Sequence, residues 1–357
     1  MYKSKQRQPR EKFVSFQLVK VFLATIGFGF ATELSAVPEQ TLADRGQEID
    51  EFFATKMKIA SFEGKDGVRL SYAFADGDPS LPPIVISVGL GESYAHYKEY
   101  VYDFMAKGDL KQAFFVFDLR SQGYSQKLAP DEGLFHVDSF EDYVSDLELF
   151  LEKVVRPGYP LKARIMAHSN GGLIAFFLIA RRPELAERVI YVAPLFGLNY
   201  GGMPAWTMRF LANTLDALGY HNKGIPFRGQ GLTKPFAQNS LTYSEPRYNR
   251  MLALLQLDTF KGTKGPSVGY VVAAQEALAN AFEKTAGYTV PSVVLTADED
   301  AYVSTAESER YCKAMSGCEL VPYKHARHVL LHERDEVRDS VMEKIKDVLV
   351  VKPEVAP

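Results

Sequence analysis

The sequence predicts an α/β fold: a mainly parallel eight-stranded sheet with helices on both faces and a helical cap inserted after the sixth strand. Three observations carry this. Short β-branched runs alternate with helix-length stretches, the rhythm of parallel strands joined by crossover helices. That rhythm breaks from Phe196 to Tyr288, where glycine, proline and aromatic residues mix among short helical patterns. And Ser169 stands in Ala167-His168-Ser169-Asn170-Gly171-Gly172, between a strand-like run (Arg164 to Ala167) and a helix-like one (Leu173 to Ala180).

The elements follow in order. Residues 1–36 read as a signal peptide or membrane anchor: Lys3, Lys5, Arg7, Arg10 and Lys12 precede an apolar run from Val21 to Thr32, with cleavage expected after Ala36. That run is short of the about 20 apolar residues a membrane-spanning helix needs. An uncleaved anchor is the alternative, since Phe13 to Val19 extend the apolar run and Lys20 can snorkel. Export, to a periplasmic or membrane-associated location, is therefore expected. Residues 37–55 read as a polar lead. The core's first part, 56–195, begins with a hairpin (Lys56 to Phe62, Val68 to Ala75) and a third strand, Pro83 to Val88. A helix around Tyr97 to Lys107, a strand from Gln112 to Phe117, a helix from Phe140 to Val155, the Ser169 strand and helix, and a strand from Arg188 to Val192 complete it. The cap is 196–288, the second part of the core 289–351, and 352–357 a tail.

A serine hydroxyl is a weak nucleophile at neutral pH and needs a base in hydrogen-bond reach, itself oriented by an acid. Small neighbours at Ala167 and Gly171 let a tight strand-to-helix turn lift the Ser169 oxygen above the sheet edge. The strand Val290 to Thr296 is followed by Asp298-Glu299-Asp300, and the shorter strand Glu319 to Tyr323 by His325 and His328. Acid and base thus emerge on the same sheet edge as Ser169. Asp300 is preferred, with Asp298 the runner-up; His328 has the better loop offset, with His325 the alternative. His325, His328 and His332 lack the spacing of a zinc motif, so no metal and no cofactor are expected. His168 reads as packing under the turn, and His96, His136 and His221 as surface or core residues. The developing oxyanion needs two N–H donors. Asn170, directly after the serine, supplies one; Leu90, in Gly89-Leu90-Gly91-Glu92-Ser93 after the third strand, supplies the other. The bland reading of Gly89 and Gly91 is a tight turn; the functional one is close approach to substrate.

On these residues the chain resembles the α/β-hydrolase superfamily, within it the bacterial lysophospholipase and monoacylglycerol lipase group, over residues 56 to 351. Further matching stretches are Phe117-Asp118-Leu119-Arg120-Ser121-Gln122-Gly123-Tyr124-Ser125, Phe140 to Leu147, and Ala326-Arg327-His328-Val329-Leu330-Leu331-His332-Glu333-Arg334-Asp335, closest to the lysophospholipase branch. The resemblance implies Ser169 as nucleophile, Asp300 as acid and His328 as base. Ala167 and Ser121 replace glycines of the family pattern, Val88 a histidine, and Asp298 a glycine.

The expected activity is hydrolysis of a single-acyl lipid ester, a lysophospholipid first, through an acyl-enzyme. A monoacylglycerol lipase or short-chain carboxylesterase is the alternative enzyme; a hydrolytically silent ligand-binding protein is the alternative of another class. A peptidase resembling the prolyl iminopeptidases is disfavoured because the cap shows no acidic pair for a substrate amine. Trp206 and Phe210, with Met208, Leu211, Leu215 and Leu218, form an apolar cap surface suited to an acyl chain, which gains about 0.8 kcal/mol per buried methylene. The alternative is that they form the cap's own core. Arg209, Arg228 and Arg247 are candidates for a phosphate headgroup. Association with a membrane surface is expected; a net charge of −3 leaves no footprint for nucleic acid. Cys312 and Cys318, six apart, suit a disulfide in an oxidising compartment.

Overall fold

Eight strands build one sheet: β1 (Lys58–Glu63), β2 (Arg69–Ala75), β3 (Ile84–Ser87), β4 (Phe114–Phe117), β5 (Ala163–His168), β6 (Ala186–Val192), β7 (Ser292–Ala297) and β8 (Cys318–Tyr323). They lie in the order β1-β2-β4-β3-β5-β6-β7-β8. β2 runs antiparallel to both β1 and β4, and the remaining pairs are parallel. The computed structural model describes residues 36–106, 110–226, 234–257, 259–260 and 262–351. The predicted export segment apart from Ala36, the 352–357 tail and Arg228 lie outside these residues.

β3, β4 and β7 are buried at every position, as continuous apolar runs covered on both faces must be. The covering helices are α3 (Lys98–Met105), α4 (Phe140–Phe150), α5 (Asn170–Arg181), α9 (Thr305–Ala314) and α10 (Asp335–Leu349). α4 starts where the Ser139 side chain accepts the Glu141 N–H. It buries Phe140, Tyr143, Val144, Leu147 and Phe150, the stripe a 3.6-residue period dictates. Inside that stripe Asp146 receives a bidentate bond from Arg120, at 2.7 and 2.8 Å, so the buried charge is paired.

Residues 37–55, read as a polar lead, instead form two short helices, α1 (Glu39–Leu42) and α2 (Gly46–Lys56). Val37, Leu42 and Ile49 bury against Tyr102, while Phe53 joins the main core. Their apolar residues are too sparse to announce a core element by composition. Tertiary neighbours bury them.

The segment between β6 and β7 carries α6 (Ala205–Leu215), α7 (Glu245–Leu254) and α8 (Val268–Ala281). Arg247 on α7 is no headgroup ligand: it is fully buried and bonds Glu99 (2.9 Å), Asp335 (2.8 Å) and the carbonyls of Glu333 (2.7 Å) and Val37 (2.8 Å). It ties the cap to the core. Arg209 is exposed.

Candidate active site

Ser169 sits between β5 and α5 with φ 49° and ψ −117°, a region costly for any residue with a Cβ. The turn is fixed at both ends. Ser169 N–H donates to the Val192 carbonyl (3.1 Å), and its own carbonyl accepts from Gly172 and Leu195 (both 2.9 Å). Gly171 is required: a Cβ there would lie 2.3 Å from the Ser87 carbonyl oxygen. Ala167, where a glycine is usual, is fully buried without a bulky group.

The loops after β7 and β8 bring the partners. His328 Nε2 lies 3.0 Å from Ser169 Oγ, and its Nδ1 lies 2.7 Å from Asp300 Oδ2. Asp300 Oδ1 accepts from the backbone N–H groups of Tyr302 (2.8 Å) and Val303 (2.9 Å). Burial alone would raise the Asp300 carboxyl; the hydrogen bond and charge of His328 and the two amides outweigh it and hold it below its ordinary value. It is an ionised acceptor at neutral pH. The line can therefore draw a proton from Ser169 to an imidazole whose far nitrogen is fixed by a carboxylate.

The alternatives point elsewhere. Asp298 accepts the Ala326 N–H (3.3 Å) and stands 3.8 Å from Lys324, bracing the loop. Glu299 accepts from the Tyr243 hydroxyl. The His325 side chain is 81% exposed, 3.8 Å from Glu299. His332 is buried with Nε2 toward the His96 carbonyl at 3.2 Å, and burial lowers it to about 4. These histidines share no site.

The loop after β3 is shaped by two side chains whose roles spacing did not announce. Glu92 Oε2 accepts from the Gly89 N–H and the Tyr97 hydroxyl, both at 2.7 Å. Gln122 donates to the carbonyls of Gly89 and Glu92 (both 2.8 Å) and accepts the Gly91 N–H (3.2 Å). The Gly89 and Gly91 amides are thus spent within the protein: these glycines shape the loop rather than hold substrate through their N–H groups. Gly91, at φ 80°, has Phe135 where a Cβ would come within 3.1 Å. Among the described residues the backbone N–H groups of Leu90 and Asn170 have no backbone partner.

Beneath the site, His168 Nδ1 and Glu92 Oε1 form a buried pair at 3.0 Å, and His168 Nε2 lies 3.4 Å from the His328 carbonyl oxygen. Burial opposes both charges, yet each partner's charge prevails: Glu92 is held far below the carboxylate range and His168 above its ordinary value. Asn170 Oδ1 accepts from the Tyr270 hydroxyl of α8 at 3.1 Å, joining the cap to the serine turn.

The sequence places Trp206 and Phe210 at the substrate; the structure turns both outward, 71% and 64% exposed. They neither line an enclosed pocket nor form a cap core, since Ala212 is the buried residue of α6. The helix offers more apolar surface than one contact face can cover. A cavity of about 190 Å³ lined by His96, Glu99, Arg247, Met251 and His332 contains none of Ser169, His328 and Asp300.

A serine held at a strained turn above a mainly parallel sheet, in line with a histidine and an aspartate from neighbouring loops, is the arrangement of a serine ester hydrolase of the α/β-hydrolase class. The chain belongs to the family described as "Serine aminopeptidase, S33", matched over residues 81–335. It is similar to lysophospholipase L2 of Escherichia coli strain K12, at 31% identity over 301 residues covering 81% of this chain and 86% of that protein. Its fold is that of a soluble variant of Saccharomyces cerevisiae monoglyceride lipase in complex with a substrate analog, with TM-score 0.62 at 20% identity over 82% of this chain and 95% of that one. A thermostable carboxyl esterase from Bacillus coagulans has the same fold, with TM-score 0.64 at 16% identity over 83% of this chain and 99% of that one.

Proposed function

We propose that this chain hydrolyses the acyl ester of single-acyl lipids, lysophospholipids foremost. One observation carries the chemistry: the unbroken line Ser169–His328–Asp300 at the strained turn. The similarity to lysophospholipase L2 supports the substrate class. Ser169 Oγ attacks the ester carbonyl carbon as its proton passes to His328 Nε2. The N–H groups of Leu90 and Asn170 receive the oxyanion. The C–O bond to the glycerol breaks as His328 returns the proton to the leaving oxygen. Water, deprotonated by His328, then releases the fatty acid from Ser169.

An exposed apolar patch of Met203, Trp206, Phe210, Leu211 and Leu218 supports docking on a lipid surface, since soluble monomers seldom leave so many large side chains together in water. Export is proposed on the basic-then-apolar leader and on the link between Cys312 and Cys318.

The test is fluorophosphonate labelling of wild type and Ser169→Ala, followed by rates on lysophosphatidylcholine, monoacylglycerol and p-nitrophenyl esters. Labelling lost in Ser169→Ala, with lysophosphatidylcholine turned over fastest, is expected. A folded wild type that takes no label sinks the enzymatic reading; a preference for monoacylglycerol shifts the substrate. Trp206 is the sole tryptophan, so its emission should shift to the blue on anionic or zwitterionic vesicles. Unchanged emission would rule out docking through this patch.

A further inference from the structure

Away from Ser169, two neighbouring side chains and a third distant in sequence converge where the cap meets the core. His136 and Asp138 lie on the loop leading into α4; His221 follows α6 in the cap. His136 Nε2 and His221 Nε2 each lie 3.0 Å from Asp138 Oδ1, and the three ligand atoms all fall within 4.8 Å of one another. We propose that His136, Asp138 and His221 bind a divalent transition-metal ion, zinc being the best match, which clamps the cap to the core.

The spacing suits such an ion. Donors on a tetrahedral zinc with bonds of about 2.0–2.2 Å stand about 3.3 Å apart, so little movement is needed to admit it. The outer contacts are those a metal-bound histidine requires, each ring holding its second nitrogen in a hydrogen bond. His221 Nδ1 lies 2.6 Å from Asp216 Oδ1, and His136 Nδ1 lies 2.8 Å from Ser267 Oγ. With each Nδ1–H donating to its partner oxygen in the metal-bound form, both Nε2 lone pairs are left free on the side where Asp138 lies. The rings are also held sterically: a Cβ on Gly269 would come within 2.9 Å of His221 and 3.0 Å of His136. His136 is buried, whereas the Asp138 side chain is 78% exposed, which leaves an entry path and room for water as a fourth ligand.

The clamp reaches the reacting serine through short steps. Ser267 caps α8 by accepting the Tyr270 N–H (3.0 Å), and Tyr270 bonds Asn170 beside Ser169. Ser267 N–H donates to the Phe135 carbonyl (2.9 Å), and Phe135 packs under Gly91 of the loop after β3. A bound ion would fix the hinge end of α8 against the core without touching the substrate.

The experiment uses the full chain, purified without a histidine tag, stripped with chelator and dialysed against zinc chloride. Bound metal is counted by mass spectrometry, and cobalt(II) substitution is followed by its visible absorption. We expect one zinc per chain, tetrahedral cobalt bands, and a Tm that climbs with free zinc. Asp216→Asn, which alters only the outer contact, should weaken binding about 10–100-fold. Asp138→Asn and His221→Ala should weaken it at least as much. Asp138→Asn changes an exposed carboxylate, so it keeps the test open if His221→Ala misfolds. Zinc binding absent from the wild type, or equal in wild type and Asp138→Asn, overturns the assignment.

Discussion

Two buried histidine–carboxylate pairs lie side by side, their rings 5.1 Å apart, and only one is built to move a proton. His328 gives Nδ1 to Asp300 and turns Nε2 to a hydroxyl that can surrender its hydrogen. His168 gives Nδ1 to Glu92 and turns Nε2 to a backbone carbonyl, which can only accept. Burial and a carboxylate do not by themselves make a base. The group facing the second nitrogen decides, and for His168 it converts the ring into a fixed cation beneath the loop of its neighbour.

The predictions sharpen that contrast, largest effect first. Ser169→Ala should lower kcat by about 10⁶-fold, with the fold unchanged by circular dichroism. Asp300→Asn should cost about 10⁴-fold through the wrong imidazole tautomer. A loss below tenfold would mean that Asp300 does not orient His328.

Glu92→Gln should instead act on stability, by about 3–5 kcal/mol in urea unfolding, because it strands a buried imidazolium. Its pH dependence has a definite sign. Glu92 is depressed in the folded state, so its contribution is present above the unfolded value of about 4.3 and disappears as pH falls through its lower folded value. His168 is raised, so its contribution is complete below about 6.5 and is lost as pH rises through its higher folded value. The gap between wild type and Glu92→Gln should be widest between about pH 5 and 6.5. A gap independent of pH would show that the pair is not ionic.

Removing the Cys312–Cys318 link by a double alanine substitution should cost about 2 kcal/mol, the closure entropy of so short a loop. Smallest of all, Asp298→Asn should change kcat less than twofold and stability by under about 1 kcal/mol, since an amide oxygen still accepts the Ala326 N–H and only the exposed charge facing Lys324 is lost. An effect rivalling that of Asp300→Asn would reverse the choice of acid.

The sequence by itself determined the sheet, the cap's place in the chain and the meeting of Ser169, Asp300 and His328. Strand and helix periods are local, and parallel strands deliver their following loops to one edge, so chain order translates directly into a shared position. Only the tertiary structure decided the rest. Arg247 as a buried clamp, Glu92 against His168, the outward turn of Trp206 and Phe210, and the meeting of His136, Asp138 and His221 all depend on which distant segment packs where. No spacing in one dimension carries that information: such contacts are fixed by burial and by the partner each polar atom must find.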